Sequence, residues 1–76
     1  MEKLLNELKV GEEGTVKKVS AEGKIKRRLF DMGVTPGAQL KFKKVAPLGD
    51  PIEITIRGYE LSLRKDEADK VLVEVK

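Results

Sequence analysis

Among these 76 residues there is no histidine and no cysteine, so any reactive chemistry has to come from hydroxyls or carboxylates. Ser20 stands near a turn and Ser62 at an outward position of an alternating segment. Neither has an evident base beside it, and an unactivated hydroxyl is a poor nucleophile. The carboxylates fall in three places: Glu12-Glu13, Asp31, and the Asp66-Glu67-Asp69 group. General acid–base work by paired carboxylates needs a pocket, and a very small barrel is filled by its own side chains. Zinc and iron sites lean on imidazole and thiolate, both missing here. Asp66 and Asp69 would hold a cation only weakly, and capping a helical turn is the simpler use of them. The reading is a binding module and not an enzyme, with no cofactor and no metal ligands.

The cations are the next group able to do something. Lys24, Lys26, Arg27 and Arg28, joined by Lys41, Lys43 and Lys44, are the best case for nucleic acid. Nucleic-acid binders concentrate positive charge on one face, whereas here 38% of the residues are charged, both signs are mixed and the net charge is only +3. Phe30, Phe42 and Tyr59 are the only aromatics, too few for a stacking platform. Lys41 and Lys43 also fall on the wet side of an alternating strand, where lysine discourages edge-to-edge pairing. No nucleic acid is expected.

The elements that must hold these groups can be read from periodicity. Ile25, Leu29 and Met32 stand at i, i+4 and i+7, which predicts a helix over about 24–32. Gly33 follows as a left-handed helix stop, and Thr35-Pro36-Gly37 has the composition of a type II turn. The period then becomes two: Leu40 and Phe42, then Ile52, Ile54 and Ile56, then Leu61 and Leu63 each alternate with polar residues. Arg57-Gly58 links two of these runs, although Arg is an unusual opening residue for a tight hairpin. Thr15–Val19 reads as a first strand with Val16 and Val19 out of alternation, which suggests a bulge. Leu4, Leu5 and Leu8 have helix-compatible spacing in a segment too short to persist without packing. Asp66–Lys70 reads as one helical turn capped by Asp66 with Asp69 reaching back, and Val71, Val73 and Val75 as the last strand. Five short strands and one inserted helix predict an all-β fold: a small SH3-like five-stranded barrel forming a single domain over 1–76. Nothing in the first residues resembles a signal peptide, and the absence of cysteine favours the cytoplasm.

One helix face of nine residues cannot sink Ile25, Leu29, Phe30 and Met32 equally deep into so small a core. Part of that apolar surface is expected either to lie under Leu4, Leu5 and Leu8 or to form a groove for another protein.

With those residues in view, the chain resembles the ferrous iron transport protein A (FeoA) family. RRLFDMGVTPGAQL, from Arg27 to Leu40, looks like the helix-and-turn signature of that family. VAPLGDPIEITIRGYELSLRKDEADKVLVE, from Val45 to Glu74, is similar to its second half. The resemblance implies a cytoplasmic SH3-like domain that works beside FeoB, a membrane transporter for Fe2+ with a cytosolic GTP-binding domain. It also carries an association with transition-metal binding, for which this sequence offers no ligands. Similar domains follow the DNA-binding part of metal-dependent repressors, and a stand-alone transport accessory is expected here instead. Carried over by motif, Leu29, Phe30 and Met32 on the helix and Leu48, Gly49, Asp50 and Pro51 in the LGDP loop are the expected partner-facing residues. Three readings are thus in play: docking on a FeoB-type transporter, nucleic-acid binding, and self-association into a homodimer.

Overall fold

The structure, a computed structural model, describes residues 1–76. Six antiparallel strands form one sheet in the order β1-β6-β2-β3-β4-β5, with β1 Glu2–Leu4, β2 Glu13–Val19, β3 Gln39–Val45, β4 Ile52–Ile56, β5 Tyr59–Leu63 and β6 Val71–Val75. Two helices are inserted, α1 Gly23–Asp31 between β2 and β3, and α2 Lys65–Ala68 between β5 and β6. The alternation read from the sequence places Ile52, Ile54 and Ile56 inward, at 2% exposure or less, as period-two strands require. With Leu40, Phe42, Leu63, Val71 and Val73 they form the centre of a 17-residue apolar core.

The strand count is six where the sequence predicts five, and the extra strand comes from the N-terminus. Leu4, Leu5 and Leu8 do not lie on an α-helix. Glu2–Leu4 pairs with β6, Glu2 opposite Glu74 and Leu4 opposite Leu72, and Leu5–Glu7 is a single 3-10 turn. Leu5 and Leu8 enter the core at 0% and 5% exposure. Full burial of a leucine contributes about 1.5–3 kcal/mol, more than a short isolated helix could return. The pairing depends on the opposite end of the chain, so local spacing does not reveal it.

Several local expectations hold. The β2–β6 register shifts between Val16 and Lys18, so a bulge lets both Val16 and Val19 point inward. Gly33 takes φ +88° after α1, with its N–H donating to the Phe30 carbonyl (3.0 Å) and the Val34 N–H to the Leu29 carbonyl (2.9 Å). That double bond pattern is a Schellman stop. Pro36-Gly37 forms the turn closed by the Ala38 N–H on the Thr35 carbonyl at 3.0 Å.

The Arg57-Gly58 link stands where the sequence places it, unusual opening residue included. At the β4–β5 turn, Arg57 and Gly58 both have positive φ, +50° and +84°. Arg57 tolerates this because its guanidinium is held: Nε donates to the Gly33 carbonyl (3.0 Å) and Nη2 to Thr35 Oγ1 (2.7 Å). These charge-assisted bonds offset the roughly 1–2 kcal/mol of left-handed strain. The sequence reading fails at α2, which Asp66 does not cap. The Glu67 carboxylate accepts from the Arg64 N–H (3.0 Å), and Asp50, fifteen residues away, accepts from the Lys65 N–H (3.0 Å).

Candidate docking surface

Helix α1 buries one line of side chains and shows the rest. Leu29 is wholly buried and Met32 packs against the core, while Ile25 and Phe30 remain 39% exposed. Lys26 lies over the Phe30 ring, its Nζ 5.6 Å from the centroid, and Arg27 lines the same shallow hollow. The sequence-based choice of Leu29 as a contact residue is therefore corrected. Its full burial makes it the anchor of α1 on the barrel, unable to touch another molecule while the fold is intact. Phe30 is the accessible member of the trio.

In the LGDP loop, Leu48 is 96% exposed, the most open large apolar side chain of the chain. Gly49 turns the loop with its N–H on the Ala46 carbonyl (2.8 Å), and the Ala46 N–H returns to the Pro51 carbonyl (3.0 Å). Asp50 is engaged within the fold. Its Oδ1 caps α2 and its Oδ2 lies 3.9 Å from Arg64 Nε. Pro51 is half-buried and follows a cis peptide bond. Within the motif, Leu48 is the residue free to meet a partner, and its three successors shape the loop that presents it.

The structure does not bring the two motifs together directly. The exit of α1 leads into the start of β3, where Arg57 at the end of β4 clasps it. The LGDP loop joins the other ends of the same two strands. Seven residues of β3 at about 3.3 Å each separate these ends by roughly 20 Å. Helix α2 lies between them: Arg28 Nη1 of α1 is 3.3 Å from Glu67 Oε2, and Asp50 of the loop holds the first N–H of α2. Glu67 is the buried charged residue of the chain, satisfied by both Arg28 and the Arg64 N–H.

What sequence reasoning missed lies next to Leu48. A groove of about 390 Å³ has Leu8, Phe42 and Ile52 as its floor, with Val10 and Val45 left 62% and 43% exposed beside it. Val10 and Val45 are distant in sequence, and only the antiparallel return of the chain makes them neighbours of one cleft.

Electrostatics dilute the basic cluster. Lys43 is paired with Glu60 (2.6 Å), Lys44 with Glu53 (3.7 Å) and Arg28 with Glu67. The Glu60 carboxylate raises the Lys43 ammonium above its ordinary 10.5. Unpaired positive charge is left on Lys24, Lys26 and Arg27 of α1 and scattered elsewhere, short of one continuous face. The largest hollow, about 480 Å³, is lined by Glu13, Lys41, Thr55 and Arg57 with backbone of the 37–40 segment, and presents no paired carboxylates. No group of three or more carboxylates is placed to hold a metal ion. No helix is long and apolar enough to cross a membrane.

Comparison with known proteins gives this geometry a family. The profile described as FeoA domain matches residues 3–75. A fusion protein of Porphyromonas gingivalis, named as Fe(2+) transport protein A joined to the Fe(2+) transporter FeoB, is 34% identical over 71 residues. The alignment covers 93% of this chain but 8% of that protein, so this chain corresponds to a small part of its length. Among solved structures, a FeoA-like protein from Clostridium acetobutylicum is 44% identical, with a TM-score of 0.87 over 93% of this chain and 83% of that one. The zinc complex of FeoA from Stenotrophomonas maltophilia, described as a prokaryotic SH3 domain protein, is 28% identical (TM-score 0.80; 97% and 89% covered), which bears out the SH3-like fold. A manganese-dependent transcriptional repressor, 20% identical with a TM-score of 0.91 over 99% of this chain and 41% of that one, shares the fold alone. A profile spanning nearly every residue, on a six-stranded SH3-like scaffold with the helix-and-turn and LGDP motifs in place, establishes that this chain belongs to the FeoA domain family.

Proposed function

We propose that residues 1–76 act as one cytoplasmic accessory unit of ferrous iron uptake, regulating a FeoB-type GTP-binding transporter by docking on its cytosolic side and turning over no substrate of its own. The observation that carries this reading is the Porphyromonas gingivalis fusion, in which a homologous domain and the transporter share one polypeptide. Covalent linkage raises the effective concentration of two modules to about the millimolar range, which favours contact between them. The surface chemistry fits: exposed apolar side chains on a rigid small scaffold, and no activated nucleophile or acid–base pair to compete with a binding role.

Of the residues assigned by motif, Phe30 and Leu48 make contact. Leu29 and Met32 hold α1 down, and Gly49, Asp50 and Pro51 fix the loop under Leu48. The test is calorimetric binding of the purified chain to the cytosolic portion of a FeoB-type transporter from the same organism. Leu48→Asp and Phe30→Asp variants with unchanged unfolding curves weaken binding if these side chains are contacts. Full affinity in both variants removes the proposed surface, and no binding by the parent chain removes the proposed function.

A further inference from the structure

The groove beside Leu48 has three properties that together specify what fills it. Its floor is apolar and its two exposed valines, Val10 and Val45, add apolar wall. Its charged lining is one-signed: Lys9 and Lys65 are present, no carboxylate is, and neither ammonium takes part in an ion pair. It also includes Asn6, whose Oδ1 is the one buried side-chain polar atom of the chain that finds no hydrogen-bond partner.

The walls are set in advance. On one side the Lys9–Glu12 turn is fastened to β3, with the Gly11 N–H on the Phe42 carbonyl (2.8 Å) and the Phe42 N–H on the Glu12 carbonyl (2.9 Å). The Glu12 carboxylate is occupied within that turn. It accepts from the Lys9 N–H (2.7 Å) and from Lys3 Nζ (3.3 Å), which holds it below its ordinary 4.5. On the other side Asp50 ties the start of α2, and so Lys65, to the LGDP loop. A cleft held open in this way binds a ligand with less of the ordering cost falling on the protein.

We infer that this groove is a docking site for a short peptide segment of a partner protein, carrying an aliphatic anchor flanked by acidic residues. The anchor lies on Phe42 and Ile52 between Val10 and Val45, and the flanking carboxylates meet Lys9 and Lys65. Charge complementarity selects this occupant over a basic or neutral segment, and the volume of about 390 Å³ suits one or two aliphatic side chains. The inference rests on the docking reading above and adds the chemistry of the docked segment.

The experiment uses the whole 15N-labelled chain and a panel of nine-residue peptides with a central Leu-Leu-Ile flanked by Asp, Ser or Lys pairs. The acidic peptide is expected to shift the amides of Lys9, Val10, Val45, Gly49 and Lys65 in a saturable manner, at least about tenfold tighter than the basic one. Val45→Asp is expected to lower that affinity by about tenfold or more. The double change Lys9→Glu with Lys65→Glu is expected to reverse the preference toward the basic peptide, which a merely structural role would not do. Preserved dispersion of the remaining resonances shows that each variant is folded. Equal binding of acidic and basic peptides, or no shift at these amides with any peptide, overturns the inference. Shifts produced there only by vesicles rich in phosphatidylglycerol overturn it as well, in favour of a lipid surface. Transporter binding that survives Val45→Asp leaves the proposed function standing and removes only the groove.

Discussion

Replacing Leu29 by alanine separates a core role from a contact role, and the structure fixes the expected size of the effect. Leu29 has 0% exposure and joins α1 to the barrel core. The substitution removes three buried carbons, about 2.4 kcal/mol at roughly 0.8 kcal/mol each, before any cavity left behind is counted. Measured substitutions of this type cost about 2–5 kcal/mol, and the better helix propensity of alanine returns only a few tenths. A domain of this size has a total stability of roughly 4–11 kcal/mol, so the loss is a large fraction of it. The melting temperature should fall by at least about 10 °C. Urea unfolding followed by far-UV circular dichroism measures the free-energy change, with Leu48→Ala as the paired control. Leu48 is 96% exposed, so its truncation should stay within about 0.5 kcal/mol of the parent. An unfolding free energy for Leu29→Ala equally close to the parent, with transporter binding lost, would refute the placement of this side chain in the core.

Gly33→Ala should destabilise by about 1–2 kcal/mol, because φ is +88° and a Cβ there would lie 3.1 Å from Arg57 Cδ and 3.2 Å from the Tyr59 hydroxyl. An unchanged urea midpoint would contradict that geometry. Asp50→Ala should cost about 1 kcal/mol through loss of the bond to the Lys65 N–H, while Asp50→Asn, which keeps an accepting oxygen, should cost less. Equal losses in the two would show that the cap is not the cause. The Lys9 N–H holds Glu12, and the N-terminal ammonium holds Glu74, below the ordinary 4.5. Such carboxylates add stability above their unfolded pKa and lose it as pH falls through the lower folded value. Lys17 and Lys43 are raised above 10.5 by Glu2 and Glu60, so their contribution is present below that value and disappears only as pH rises through the higher folded one. The urea midpoint should therefore be flat from about pH 6 to 9 and drop below pH 4.5, less steeply in Glu12→Gln; a midpoint still rising as pH falls below 4.5 would contradict these placements.

What the sequence determined by itself is the part of the molecule whose causes lie within a few residues. The stop of α1 at Gly33 and the turn at Pro36-Gly37 follow from backbone preferences and from bonds between residues three to five apart. The alternation of Ile52, Ile54 and Ile56 shows which side of β4 is wet, because the strand period is fixed by the pleat. The lack of histidine and cysteine likewise narrows the chemistry without any coordinates.

Tertiary structure decided whatever needed two distant segments at once. Glu2–Leu4 became a strand because β6, at the far end of the chain, offered it an edge. Arg57 adopts a left-handed conformation because the α1 exit accepts its guanidinium, and Asp50 is a cap because α2 starts beside it. Leu29 and Phe30 are adjacent in sequence, yet one is core and the other surface, since about 100° of helical rotation separates them and only the barrel defines which direction is inward. The groove between Val10 and Val45 has the same origin: local patterning fixes conformations, whereas a concave surface exists only once strands from different parts of the chain lie side by side.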